Sequence, residues 1–196
     1  MDAIAQPVAA AGPLSSAQLG EIDAARKRSR SIRRGVTFSR FNAWTLGFFA
    51  FVSLVLVGVG LPRVGAAAAV CAVLIAVTAV EFVQGTRLKR FEPGAARLIA
   101  WNQMALGLAL GAYCGWKVWA LMHGQRVIST PELAELMGDE GVALAQQMMV
   151  WGYVAVGGIV LGYQVLVGLW YLRLEGKVAS YRRETPAWVV EVLRRG

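Results

Sequence analysis

Apolar residues gather along this chain in four long runs that carry almost no charge, separated by short segments rich in arginine, lysine and glutamate. The runs cover residues 43–61, 65–83, 98–122 and 148–172. Each is long enough for a helix rising about 1.5 Å per residue to cross a hydrocarbon layer of about 30 Å. The pattern predicts an all-α chain, a polytopic membrane four-helix bundle. Pro62, Arg63 and their neighbours leave so short a connection between the first two runs that these must form an antiparallel hairpin, and the last two runs make a second transmembrane hairpin. Gly85, followed by Arg87, Lys89 and Arg90, marks the end of the second run, and the fourth is expected to reach back toward Asp139, because 142–147 continues its helical pattern.

The polar segments give the rest of the organisation: a basic N-terminal segment over 1–40, a transmembrane domain over 41–172 and a basic tail over 173–196. Residues 15–35 read as a basic helix with Leu19, Ile22 and Ile32 as a sparse apolar face, suited to lying on anionic lipid. At the other end Pro186 opens a short helix with Trp188, Val189, Val192 and Leu193 on one stripe, which either the membrane surface or the protein's own inner face is expected to cover. Between the third and fourth runs, Ser129 is placed to cap a short helix with Glu132 reciprocating, and Gly138 to stop it.

Orientation follows from the positive charge. Seventeen of the twenty lysines and arginines fall in the N-terminal segment, the loop between the second and third runs, and the tail; only Arg63, Lys117 and Arg126 do not. The positive-inside rule then puts both termini in the cytoplasm. Trp44 and Trp101 near the inner ends, and Trp116, Trp119 and Trp151 near the outer, fit as interfacial anchors.

Composition narrows the function classes. With 57% hydrophobic and only 16% charged residues, the chain suits lipid better than water as the solvent for much of its length. A net charge of +8 could attract nucleic acid, but the charges crowd the ends of the apolar runs, where the partner is the anionic cytoplasmic leaflet of a plasma (inner) membrane, and no nucleic-acid partner is expected. The first 40 residues are polar and basic, so no cleaved signal peptide is expected. Cys71 and Cys114 lie inside apolar runs and His123 is the only histidine, which excludes a disulfide framework and supports neither a zinc site nor paired haem ligands. No cofactor or metal is expected. Nucleophile elbows, zinc-protease motifs and phosphate-binding loops are missing, and Ser53, Thr78 and Cys114 have no histidine or aspartate within their spans, so the chain is not expected to be an enzyme.

Two features remain that could carry function. Glu81, Asn102, Gln103 and Gln164 fall at similar depth in the inner half of three runs, a candidate polar intramembrane cluster. It reads either as interhelical hydrogen bonding, with Glu81 reaching toward Gln84 and Arg87, or as an ion or proton site in which Glu81 titrates. Gly107-x-x-x-Gly111-x-x-x-Gly115 in the third run is a candidate helix-packing face, with Gly158-x-x-x-Gly162 and the Ala68, Ala72, Ala76 series as matching small faces for packing within the bundle or between copies. A transport path needs polar residues through the whole depth, and the outer half offers only Lys117, Gln146 and Gln147. The expected function is therefore that of a non-catalytic assembly or accessory subunit, packing with itself or with a larger membrane partner; the alternative is a small oligomeric ion channel or transporter using Glu81 and nearby amides.

Overall fold

The computed structural model describes residues 14–58, 64–125 and 131–195. It contains five helices, α1 (Ser16–Gly58), α2 (Val64–Lys89), α3 (Ala95–Met122), α4 (Pro131–Glu184) and α5 (Ala187–Arg195), and no strand among the described residues. The first four are long and apolar enough to cross a membrane. Arg63, Arg126 and the Ser129 cap, like the last residues of the first apolar run, lie outside the described residues.

At 43 residues, α1 is about 65 Å long, roughly twice the thickness of a hydrocarbon layer. It starts at a capping box, in which the Ser15 amide donates to Gln18 Oε1 at 2.9 Å and the Gln18 amide to Ser15 Oγ at 3.2 Å. The separate basic helix expected over 15–35 is thus the first part of one continuous helix. Gly35 does not end it because that glycine is spent on a helix crossing: a Cβ there would overlap Leu174 Cδ2, and the Gly35 carbonyl accepts from Tyr171 Oη at 3.0 Å. α4 likewise continues beyond its apolar part to Glu184, and Gly138 (φ 67°) divides its first turns from the remainder. α5 is a short helix set off by Pro186, which has no amide proton to continue the α4 ladder.

At the end rich in arginine, these extensions and the adjoining ends of the apolar runs close over a shared core. Ile32, Val36, Leu88, Phe91, Ile99, Tyr171, Leu174, Val178, Val189 and Leu193 are buried there together. Each large apolar side chain here that water would otherwise wet contributes about 1.5–3 kcal/mol by its burial. Within the apolar parts a smaller cluster of Leu46, Ala50, Leu74, Val77 and Leu106 joins α1, α2 and α3, where association rests on dispersion without a hydrophobic drive. Ile22 and Ile32 belong to the large core, so the apolar face of the N-terminal helix is covered by protein; Leu19 alone of the three is exposed. The α5 stripe divides in the same way, with Val189 and Leu193 inward and Trp188 and Val192 outward.

The turn from α2 to α3 is tight. Phe91 N–H donates to Leu88 O at 2.9 Å and Glu92 N–H to Arg87 O at 3.1 Å, the paired bonds of a Schellman motif, with Phe91 in the left-handed region (φ 56°) that usually takes glycine. A phenylalanine there costs about 1–2 kcal/mol, offset by its burial and by its contact with the Tyr181 ring at 4.7 Å. Gly85 does not stop α2. It is buried one turn before the helix ends, where a Cβ would lie 2.9 Å from Ser39 Oγ, so its role is close approach to α1.

Candidate functional site: a carboxylate shared by three helices

Glu81 of α2 is fully buried, and both of its oxygens accept hydrogen bonds from neighbouring helices. Oε2 accepts from Ser39 Oγ at 2.7 Å, and Oε1 accepts from Asn42 Nδ2 at 3.2 Å and from Gln103 Nε2. Ser39 and Asn42 are three residues apart on one face of α1, and Gly85, one turn along α2, leaves the room that Ser39 occupies. A carboxylate stripped of water without partners would cost several kcal/mol. Three donors from α1 and α3 replace the lost hydration and fix the two helices to α2 at one level.

Of the four polar residues singled out from the sequence, the structure joins two directly, Glu81 and Gln103. Asn102 turns instead to the α2 backbone, donating from Nδ2 to Val77 O at 3.1 Å. Gln164 is buried against Gly107, where an added Cβ would be 2.7 Å from its own Cβ. Gln164 Oε1 and Gln103 Oε1 have no hydrogen-bond partner among the described residues. Arg87, a suggested neighbour of Glu81, faces the turn: its Nε donates to Glu92 Oε2 at 2.8 Å and its Nη1 to Gln84 Oε1 at 3.2 Å. Sequence reasoning misses Ser39 and Asn42 by taking the polar segment to end at residue 40 and the span to begin at 43. The available signal was the stripe Ser39, Asn42, Ala43, Leu46, Ala50 at helical spacing, level with Glu81.

The glycine face of α3 is graded. Gly107 is in tight contact with Gln164, Gly111 meets Leu161 at an ordinary 3.9 Å, and Gly115 has open space around it. Gly158 and Gly162 are open too, and Ala68, Ala72 and Ala76 are exposed, so none of these matching small faces packs within the chain. The glycines of α4 that do pack are Gly157, against Cys114 Cβ at 2.9 Å, and Gly168, against Met104 at 2.9 Å and the Ala100 carbonyl at 3.2 Å.

Near the end of α3, Lys117 is nearly buried and its ammonium stands 5.0 Å from the Trp116 ring and 5.9 Å from the Tyr113 ring. Gln146 donates to the carbonyls of Leu121 and Gln125, at 2.6 and 3.1 Å, where α3 ends. Among the described residues, no group of three or more His, Cys, Asp or Glu side chains comes together. Compared with known proteins, the chain matches no protein-family model, no curated protein and no solved structure.

Proposed function

We propose that the chain is a non-catalytic integral protein of the plasma membrane, a four-helix bundle with both termini cytoplasmic, which serves as an assembly or accessory subunit for copies of itself or for a larger membrane partner. The observation that carries this reading is that Glu81, a fully buried carboxylate on an apolar helix, is satisfied on both oxygens by side chains of the same chain. A permeation path needs polar groups that exchange partners along its whole depth. Small faces at Gly115, Gly158 and Gly162 stand open, where another helix backbone could approach closely.

Cross-linking tests the proposal. With Cys71 and Cys114 replaced by alanine, single cysteines at Gly115, at Gly158 and at the control position Gly20 are oxidised in native membranes, and the mass of the detergent-solubilised protein is measured by light scattering. A disulfide-linked pair from Gly115 or Gly158, or a native mass above one chain, supports assembly. A lone monomer with no cross-link overturns it.

One observation favours transport: the amide oxygens of Gln103 and Gln164 are buried without a partner near the level of Glu81, and hard oxygen donors suit a small cation. Ion flux into reconstituted vesicles that Glu81→Ala abolishes would establish that reading in place of the first.

A further inference from the structure

A cavity of about 270 Å³ opens between α1, the end of α2 and α5, lined by Ile32, Val36, Leu88, Phe91 and Leu193 together with Arg33, Thr37, Arg40 and Lys89. Its apolar lining is buried, and its three cations are exposed at the rim. No carboxylate lines it, and none of Arg33, Arg40 and Lys89 forms an ion pair among the described residues. Thr37 Oγ1 spends its proton on the Arg33 carbonyl, at 3.2 Å, so the rim is purely cationic in its free donors. Three like charges at one opening repel one another, and a phosphate relieves that repulsion while accepting from both guanidinium groups.

The depth is telling. Arg40 stands just before the apolar part of α1, and Lys89 is the last residue of α2, so the opening lies at the boundary between apolar helix and water, the level of phosphate groups in a bilayer. Phe41 and Trp44, one and four residues farther along α1, are 70% and 72% exposed and offer apolar surface on the hydrocarbon side.

We propose that this cavity is a binding site for an anionic phospholipid, with the phosphate held by Arg33, Arg40 and Lys89 and the glycerol end against Val36, Leu88 and Phe91. Free phosphate would gain nothing from an apolar floor. A zwitterionic lipid would bring an ammonium group toward three uncompensated cations. α5 closes one wall through Leu193, so its packing against α1 shapes the site.

The full chain, delipidated in a neutral detergent, is titrated by native mass spectrometry with phosphatidylglycerol, with phosphatidylcholine and with inorganic phosphate. One phosphatidylglycerol is retained per chain, phosphatidylcholine binds much more weakly, and millimolar phosphate does not displace the lipid. Arg33→Gln, Arg40→Gln and Lys89→Gln each weaken retention about fivefold, on the scale of one cation near an anionic headgroup. All three side chains are exposed, so helix content by circular dichroism stays unchanged. Removing two charges elsewhere, by Arg173→Gln with Lys177→Gln, leaves retention intact. Equal loss from that control would show diffuse surface attraction, and displacement by phosphate would show an anion site without lipid; either result overturns the proposal.

Discussion

Glu175 of α4 caps a helix to which it does not belong: its Oε1 accepts the Gly94 amide at 2.6 Å and its Oε2 the Arg97 amide at 3.3 Å, at the start of α3. Gly94, the residue before α3, has no side chain with which to do this locally. A carboxylate at the positive end of a helix also gains from the aligned peptide dipoles. The extension of α4 past its apolar run is thereby tied to the α2–α3 turn.

Glu175→Ala should cost about 1–2 kcal/mol of unfolding free energy, the value of an N-terminal cap in favourable geometry. Glu175→Gln keeps one acceptor oxygen and should lose less. Denaturant unfolding in detergent, followed by circular dichroism, compares them; equal stability of the alanine variant and the native chain would show that water replaces the cap without loss.

Glycines that look alike in the sequence should respond very differently to enlargement. Gly168→Ala places a Cβ against Met104 and the Ala100 backbone, and Gly35→Ala forces Leu174 aside, so each should destabilise the chain by about 1–3 kcal/mol, as overpacking does. Gly115→Ala and Gly162→Ala meet open space within the chain and should leave the stability of a single copy unchanged. Thermal unfolding of dilute detergent-solubilised protein provides the comparison, and a large loss at Gly115 under those conditions would contradict the packing described.

Replacing Glu81 by alanine leaves the donors of Ser39, Asn42 and Gln103 without their acceptor, at about 1–3 kcal/mol for each group that finds no substitute. Glu81→Gln keeps an acceptor oxygen for the amides and offers an N–H to Ser39 Oγ, so it should be the milder change. Chemical denaturation of both variants and of Ser39→Ala ranks them. The reverse order, with glutamine worse than alanine, would mean that the charge of Glu81 matters more than its hydrogen bonds.

The α2–α3 turn should respond to acid through Glu92. The Arg87 hydrogen bond and its nearby charge hold this carboxyl below its ordinary range. A carboxylate whose pKa is depressed in the folded state stabilises that state above its unfolded pKa, and the contribution is lost as pH falls through the folded value. Unfolding curves of the native chain and Glu92→Gln should differ by a small constant amount at neutral pH and converge in acid, below the ordinary carboxylate range; convergence on the alkaline side would refute the assignment.

The sequence by itself determined the helical class and the four membrane-length helices, because a hydrocarbon layer demands long apolar runs and leaves few other ways to satisfy the backbone. It also marked Glu81 and Gln103, since polar groups stand out in such runs. Only the tertiary structure decided which glycines end helices and which let helices cross. Gly85 reads as a stop and Gly35 as the last residue of a separate helix, and both prove to be contact points, because a missing side chain serves a turn and a close approach equally well and the difference lies in the neighbouring helix. The partners of Glu81 on α1 were hidden for a related reason: Ser39 and Asn42 look like interfacial residues until the length of α1 and its pairing with α2 bring them level with the carboxylate. The Glu175 cap lies 81 residues from Gly94, a separation that no local pattern bridges.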